Sequence, residues 1–126
     1  MPLLGVCLGQ QLLFEGSEEG DVECLGLIPG KVTKMTATPD MVVPHMGWNQ
    51  LEVIKADPLT AGVKNGDFAY FVHSYVCPVN AYTLATSTYG APFAAMVRKD
   101  NVFGCQFHPE RSSAVGALIL KNFVDL

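Results

Sequence analysis

The pentapeptide Gly5-Val6-Cys7-Leu8-Gly9 constrains this chain more than any other stretch. It joins a short apolar run beginning at Leu3 to Gly9–Glu15, which reads as one or two helical turns with Leu12 and Leu13 on a buried side. Gly-x-Cys-x-Gly between a strand and a helix is the pattern of a nucleophile elbow with Cys in place of Ser. Side chains two residues either side of such a turn are expected to clash, so the pattern asks for both glycines. The nucleophile is then held in a strained backbone conformation above a sheet. A thiol at a helix N-terminus is expected to be acidified by the helix dipole. The backbone N–H groups of Leu8 and Gly9 are candidate oxyanion donors. The pentapeptide alone also fits a buried structural cysteine, because free Cys is among the most buried residue types. A phosphate-cradling loop needs a Lys near its end, where this chain has Gln10 and Gln11.

Downstream, strand-like segments rich in Val, Tyr, Phe and Thr follow an acidic loop, Gly16–Glu23. They are Leu25–Ile28, Lys31–Met35, Trp48–Ile54, Phe68–Val72, Tyr82–Ser87, Phe93–Val97 and Val102–Phe107. Turn signals at Pro29-Gly30, Pro39-Asp40, Asn65-Gly66, Tyr89-Gly90 and Asp100-Asn101 separate them. Ser112 and Ser113 are candidate N-caps for a last helix, in which Val115, Leu118, Ile119 and Phe123 recur at helical spacing. One strand–elbow–helix, a β-rich middle and a closing helix depart from the regular alternation of an α/β chain.

At 126 residues and 49% hydrophobic content, the chain suits one domain whose core needs neither disulfide nor metal. The net charge of −4, with no basic run, argues against nucleic acid and against a membrane surface as partner. The charge-free stretch Phe68–Val97 holds His73, Pro78, Asn80 and Pro92, so it reads as buried strands, not as a membrane span. Cys7, Cys24, Cys77 and Cys105 form no CxxC pair and no zinc spacing. No secretory pattern follows Met1. Free thiols in the cytoplasm, with no cofactor and no metal, are the expectation.

A cysteine nucleophile needs a base, and the base needs an orienting group. His108 ends the apolar run Val102–Phe107 and precedes Pro109-Glu110. Histidine at a strand end faces the rim where active sites gather. A carboxylate two residues on can accept the imidazole N–H and stabilise the imidazolium. By itself His-Pro-Glu also suits an ordinary surface turn; paired with the elbow, it suggests a Cys7–His108–Glu110 triad.

GVCLGQQLLF together with QFHPERS resembles the class I glutamine amidotransferases, and the resemblance runs from Pro2 to the end of the chain. The segments PHMGWN (Pro44–Asn49) and YFVHSY (Tyr70–Tyr75) are similar to those of glutaminase subunits of imidazole glycerol phosphate synthases, in histidine biosynthesis. The resemblance implies an α/β, flavodoxin-like fold that lacks its N-terminal third, with residues 1–126 forming a partial glutaminase domain. It implies Cys7 as nucleophile toward the side-chain amide of L-glutamine, His108 as its base and Glu110 as the orienting group. It further implies Gln11, His73, Ser74 and Tyr75 as substrate-binding residues. Pro44, His45, Met46, Trp48, Asn49, Tyr70 and Arg111 fall where the family docks a (β/α)8-barrel cyclase that receives the ammonia. Strands missing beside the nucleophile strand would leave an open sheet edge, from which we expect a homo-oligomer, most simply a dimer, and weak or absent turnover by the chain alone.

Overall fold

Leu3–Val6 forms β1, and Cys7 alone separates it from α1, Leu8–Leu12. The computed structural model describes residues 2–20, 22–39 and 41–126. Asp40, in the expected Pro39-Asp40 turn, and Asp21, in the acidic loop, lie outside the described residues. Among the described residues, ten short strands follow: β2 (Gly16–Ser17), β3 (Val22–Glu23), β4 (Lys31–Lys34), β5 (His45–Gln50), β6 (Glu52–Val53), β7 (Phe68–His73), β8 (Tyr75–Val76), β9 (Thr83–Tyr89), β10 (Ala91–Lys99) and β11 (Val102–Cys105). Helix α2 spans Ser113–Val124.

The main sheet has the order β1-β11-β10-β9-β6. Strands β9, β10 and β11 are joined by tight turns at Gly90 and Asp100, both with positive φ, so they pair antiparallel. β1 lies parallel to β11, with Gly5 opposite Gly104 and Val6 opposite Cys105. That register brings the elbow to the end of β11, from which the chain runs on to His108. A smaller sheet, β3-β2-β4-β8, and the antiparallel pair β5–β7 complete the scaffold.

The apolar content is divided between two clusters. One holds Leu51, Phe71, Phe93, Met96, Phe103, Phe107 and Ile119, the last from α2. The other holds Leu13, Phe14, Ile28, Val32, Cys77, Ala94 and Val97. Strand β10 serves both, and its register against β9 slips between Ala94 and Met96. The slip lets consecutive residues Ala95 and Met96 join the first cluster while Ala94 and Val97 belong to the second.

The structure departs from the expected strands in four places; one is Trp48–Ile54, which divides into the end of β5, paired with β7, and β6, paired with β9. Leu25–Ile28 is not a strand. Helix α1 is so short that carbonyls near its end lack helical partners, and the N–H groups of Leu25, Gly26, Leu27 and Ile28 bond to Leu12, Phe14 and Leu13 instead. The acidic loop contains the small β2–β3 ladder, and β8 was not expected. Ser112 does not cap α2 with its side chain; its hydroxyl is used elsewhere, as described below. Among the described residues, no helix is long and apolar enough to cross a membrane.

Candidate active site

Cys7 sits at φ 55°, ψ −109°, the strained geometry expected of an elbow. Its N–H donates to the Cys105 carbonyl at 2.8 Å, which continues the β1–β11 pairing up to the turn. Gly5 is required by contact: a Cβ there would lie 2.5 Å from the Gly9 carbonyl oxygen. Gly9 is not, since a Cβ on it meets nothing within 4 Å. The expected symmetry of the two glycines therefore fails, because the chain leaving the elbow curls back over Gly5 and leaves Gly9 open.

Strand β7 brings the two halves of the site together. The Cys7 thiol donates to the Val72 carbonyl at 3.6 Å. The His108 N–H donates to the Tyr70 carbonyl at 3.0 Å. Carbonyls two residues apart on one strand point the same way, about 7 Å apart. The Ser112 hydroxyl accepts from the Tyr70 N–H at 3.0 Å and donates to the His108 carbonyl at 2.7 Å, tying the turn that follows His108 to β7. Within that turn, His108 Nδ1 lies 2.7 Å from Glu110 Oε1. The carboxylate can only accept, so Nδ1 carries the hydrogen and Nε2 is the nitrogen able to take a proton.

The thiol is not acidified, contrary to the sequence expectation. Burial pushes Cys7 above its ordinary value of 9.0. The Leu8 N–H and the Gln106 amide pull it down without prevailing, and the charges of Glu110 and Glu19 raise it further.

Two buried glutamines beside Cys7 escaped the sequence reading. Gln106 is fully buried, with Nε2 3.7 Å from the Cys7 sulfur and Oε1 accepting from Gln11 Nε2 at 3.1 Å. Gln10, also fully buried, donates to the Ala94 carbonyl at 3.2 Å and lies 3.4 Å from the Cys77 sulfur. The available signal for Gln106 was a lone amide within the apolar run Val102–Phe107.

Gln11 Nε2 also donates to the Tyr75 carbonyl at 3.2 Å, which places Gln11 and Tyr75 together near the elbow. The carbonyl of the neighbouring Ser74 accepts from Met35. His73 and His45 differ from expectation. Neither is open to a ligand, for both are buried and bonded to each other, His45 Nδ1 to His73 Nε2 at 2.9 Å. His45 is sandwiched between Tyr89 and Phe71, with ring centroids at 4.1 and 5.1 Å. Its position follows from strand alternation: His45 faces in, while Met46 and Trp48 face out at 64% and 50% exposure. Trp48 and Tyr70 are cross-strand partners with rings 5.8 Å apart. The Arg111 guanidinium lies 5.9 Å from the Tyr70 centroid, and the three residues line a shallow cleft of about 350 Å³. Pro44 is exposed, and Asn49 donates to the Thr88 carbonyl at 2.9 Å.

Acidification is expected to destabilise the fold through the imidazole pair. His45 is pushed down to about 4 from 6.5, by burial and then by the charge of His73; His73 is lowered, chiefly by burial. Between these values and 6.5 the unfolded chain binds protons that the folded chain excludes. The contribution is complete above the unfolded value and is lost as pH falls toward the folded ones. The loss belongs to the bonded pair as a unit and grows as pH falls below 6.5. Thermal melts from pH 7.5 to pH 4.5 check this. The drop in midpoint should shrink in His45→Asn, and an identical drop in both proteins contradicts the assignment.

Comparison with known proteins places this geometry in a family. The family described as Glutamine amidotransferase class-I matches residues 1–126. The imidazole glycerol phosphate synthase subunit HisH of Xylella fastidiosa (strain Temecula1) is 53% identical over all 126 residues. Its counterpart in Xanthomonas euvesicatoria pv. vesicatoria is 54% identical. The chain spans 63% of the length of each. Among solved structures, the glutaminase domain of Trypanosoma brucei CTPS with bound acivicin aligns with a TM-score of 0.65 at 16% identity, over 98% of this chain and 60% of that one. A structure described as glutamine amidotransferase aligns at 0.62 and 19% identity, covering 98% and 61%. These two likenesses show the fold. The match over the full chain, on a fold whose elbow carries Cys7, makes this protein a member of the class-I glutamine amidotransferase family.

Proposed function

We propose that the chain is a glutaminase module that hydrolyses L-glutamine to glutamate and ammonia. The observation that carries this reading is the docking of Cys7 and of the His108–Glu110 pair on successive same-side carbonyls of β7. His108 Nε2 takes the thiol proton as Cys7 sulfur attacks the amide carbon, and a C–S bond forms. The Leu8 N–H supports the negative charge that develops on the amide oxygen, with the Gly9 N–H beside it. His108 returns the proton to the leaving nitrogen, the C–N bond breaks and ammonia departs. His108 then deprotonates a water that attacks the thioester, releasing glutamate and restoring the thiol. Gln11, Ser74 and Tyr75 are the groups we assign to the amino-acid end of the substrate.

The relatives named as HisH subunits support delivery of the ammonia to a (β/α)8-barrel cyclase for imidazole glycerol phosphate synthesis. The outward face of β5, with Met46 and Trp48, together with Tyr70 and Arg111, has the aromatic and Arg composition of an interface anchor. We assign the cyclase to that face.

Acivicin, a glutamine-like electrophile, tests the assembled site. Intact-mass analysis is expected to show one adduct, mapped to Cys7 and absent in Cys7→Ser. An unmodified protein, or an adduct on Cys24, contradicts the reading.

A second reading, of weak turnover and self-association, has its own observation. Among the described residues β1 pairs on one side only, and Leu3, Leu8 and Leu12 are 50, 53 and 43% exposed. An open edge of this kind is a template for another strand, and a second copy of this chain would cover it. Light scattering should then report a dimer; a monomer insensitive to dilution refutes it.

A further inference from the structure

We infer that the buried pair His45–His73 positions the Gln11 amide, and through it the substrate glutamine. This inference rests on the glutaminase reading above. Four groups form a chain in which every bond runs in one direction. Asn49 Nδ2 lies 3.4 Å from His45 Nε2, His45 Nδ1 lies 2.9 Å from His73 Nε2, and His73 Nδ1 lies 2.9 Å from the Tyr75 carbonyl oxygen. The ends are fixed. The carbonyl can only accept, so His73 Nδ1 carries a hydrogen. The Asn49 amide cannot turn, because its Oδ1 accepts from the Gln50 N–H at 2.7 Å while its Nδ2 donates to Thr88. Asn49 therefore presents a donor to His45 Nε2, which must be bare.

Between a fixed donor and a fixed acceptor, two imidazoles have one consistent arrangement: each neutral, each with its proton on Nδ1. A third proton on the pair would set N–H against N–H at one of the links. The titratable groups facing the pair are the two rings and the Tyr89 phenol, whose hydroxyl donates to the Val42 carbonyl. Phe71 and Phe93 pack against both rings, and among the described residues no carboxylate or cationic side chain bonds to either ring.

The chain ends at the point where Gln11 is held. The Tyr75 carbonyl accepts from both His73 Nδ1 and Gln11 Nε2. The second hydrogen of Gln11 Nε2 goes to Gln106 Oε1, and Gln106 Nε2 faces the Cys7 sulfur. Both hydrogens of the Gln11 amide are thus committed, and its Oε1 is left to accept from a ligand. His73 keeps the Tyr75 carbonyl in the place that gives Gln11 this orientation. The pair is a positioning element: it touches neither the reacting atoms nor the substrate.

Two measurements test this. In ¹⁵N-labelled protein, both rings should show the Nδ1–H tautomer, unchanged from pH 8 to pH 6. A free neutral imidazole in water prefers the proton on Nε2, so an Nε2–H form on either ring overturns the inference, and this readout needs no variant. The second is the ratio of Cys7 labelling rates with acivicin and with iodoacetamide, which cancels effects common to the thiol. His73→Leu should lower that ratio about 10-fold, whereas His73→Asn, whose amide places a donor where Nδ1 stood, should stay within about 3-fold of wild type. A wild-type preference for acivicin that survives in His73→Leu overturns the positioning role and spares the glutaminase reading. A wild-type protein with no preference overturns that reading itself.

Discussion

Gly116→Ala is expected to unseat the turn that carries His108 and Glu110 and to cost the fold about 3–5 kcal/mol. Gly116 lies in the first part of α2, where the helix passes directly over the preceding turn. A Cβ at this position would lie 1.9 Å from the Pro109 carbonyl oxygen and 2.9 Å from Ser112 Cβ. The first contact is with backbone, so no side-chain rotation relieves it. Either α2 shifts, lifting Ile119 out of the first core cluster, or the Pro109–Ser112 turn moves and takes the His108–Glu110 pair with it. The Ser112 side chain, whose hydroxyl ties His108 to Tyr70, stands in the same contact through its Cβ. The melting midpoint should fall by about 10 °C or more at this chain length, and acivicin labelling of Cys7 should collapse in the protein that remains folded. Gly9→Ala is the internal comparison. Its Cβ meets open space within a helix, where Ala is favoured over Gly by up to about 1 kcal/mol, so its midpoint should hold or rise. Equal losses from the two substitutions would contradict the contact argument.

His108→Ala is expected to slow glutamine hydrolysis or acivicin labelling by about 10³–10⁴-fold at pH 7. Burial holds the thiol above 9.0, so little thiolate exists at neutral pH without a base to take the proton. The structure offers one imidazole for this work. His45 and His73 are committed to each other, whereas His108 has Nε2 free once Nδ1 is bonded to Glu110. The pH dependence identifies the cause. Labelling of the variant should rise about tenfold per pH unit from pH 7 to pH 9, following the thiolate population, while the wild type changes far less. Glu110→Gln should have a smaller effect, because its carboxylate is 53% exposed and its field is screened by water. A His108→Ala protein that reacts at the wild-type rate at pH 7 would remove His108 from the mechanism.

Local signals were legible because their causes are local. The elbow needs Gly5 for a contact four residues away, and both the strand before it and the helix after it can be read from adjacent residues. His108-Pro109-Glu110 declares an imidazole and a carboxylate that meet within three residues. The periodicity of α2 and the turns at Gly90 and Asp100 belong to the same class. Leu25–Ile28 misled because its apolar residues are strand-like, yet its backbone is satisfied by the carbonyls of Leu12, Leu13 and Phe14, at and just past the end of α1, which a longer helix would have used. Ser112 misled for the opposite reason: its sequence position suits a cap, but β7 offers its hydroxyl a better partner.

The sequence by itself determined the chemistry available: a cysteine in a strained turn, one imidazole paired with a carboxylate, and a family pattern spanning the chain. The tertiary structure decided which groups can use it. It withheld acidity from Cys7, because burial outweighs the Leu8 N–H and the Gln106 amide that favour the thiolate. It took His45 and His73 out of ligand reach by folding β5 against β7 with His45 opposite His73. It also brought Gln106 to the nucleophile across a gap of 99 residues, through the parallel pairing of β1 with β11. These outcomes depend on desolvation and on long-range register, which arise only when strands distant in the chain come together.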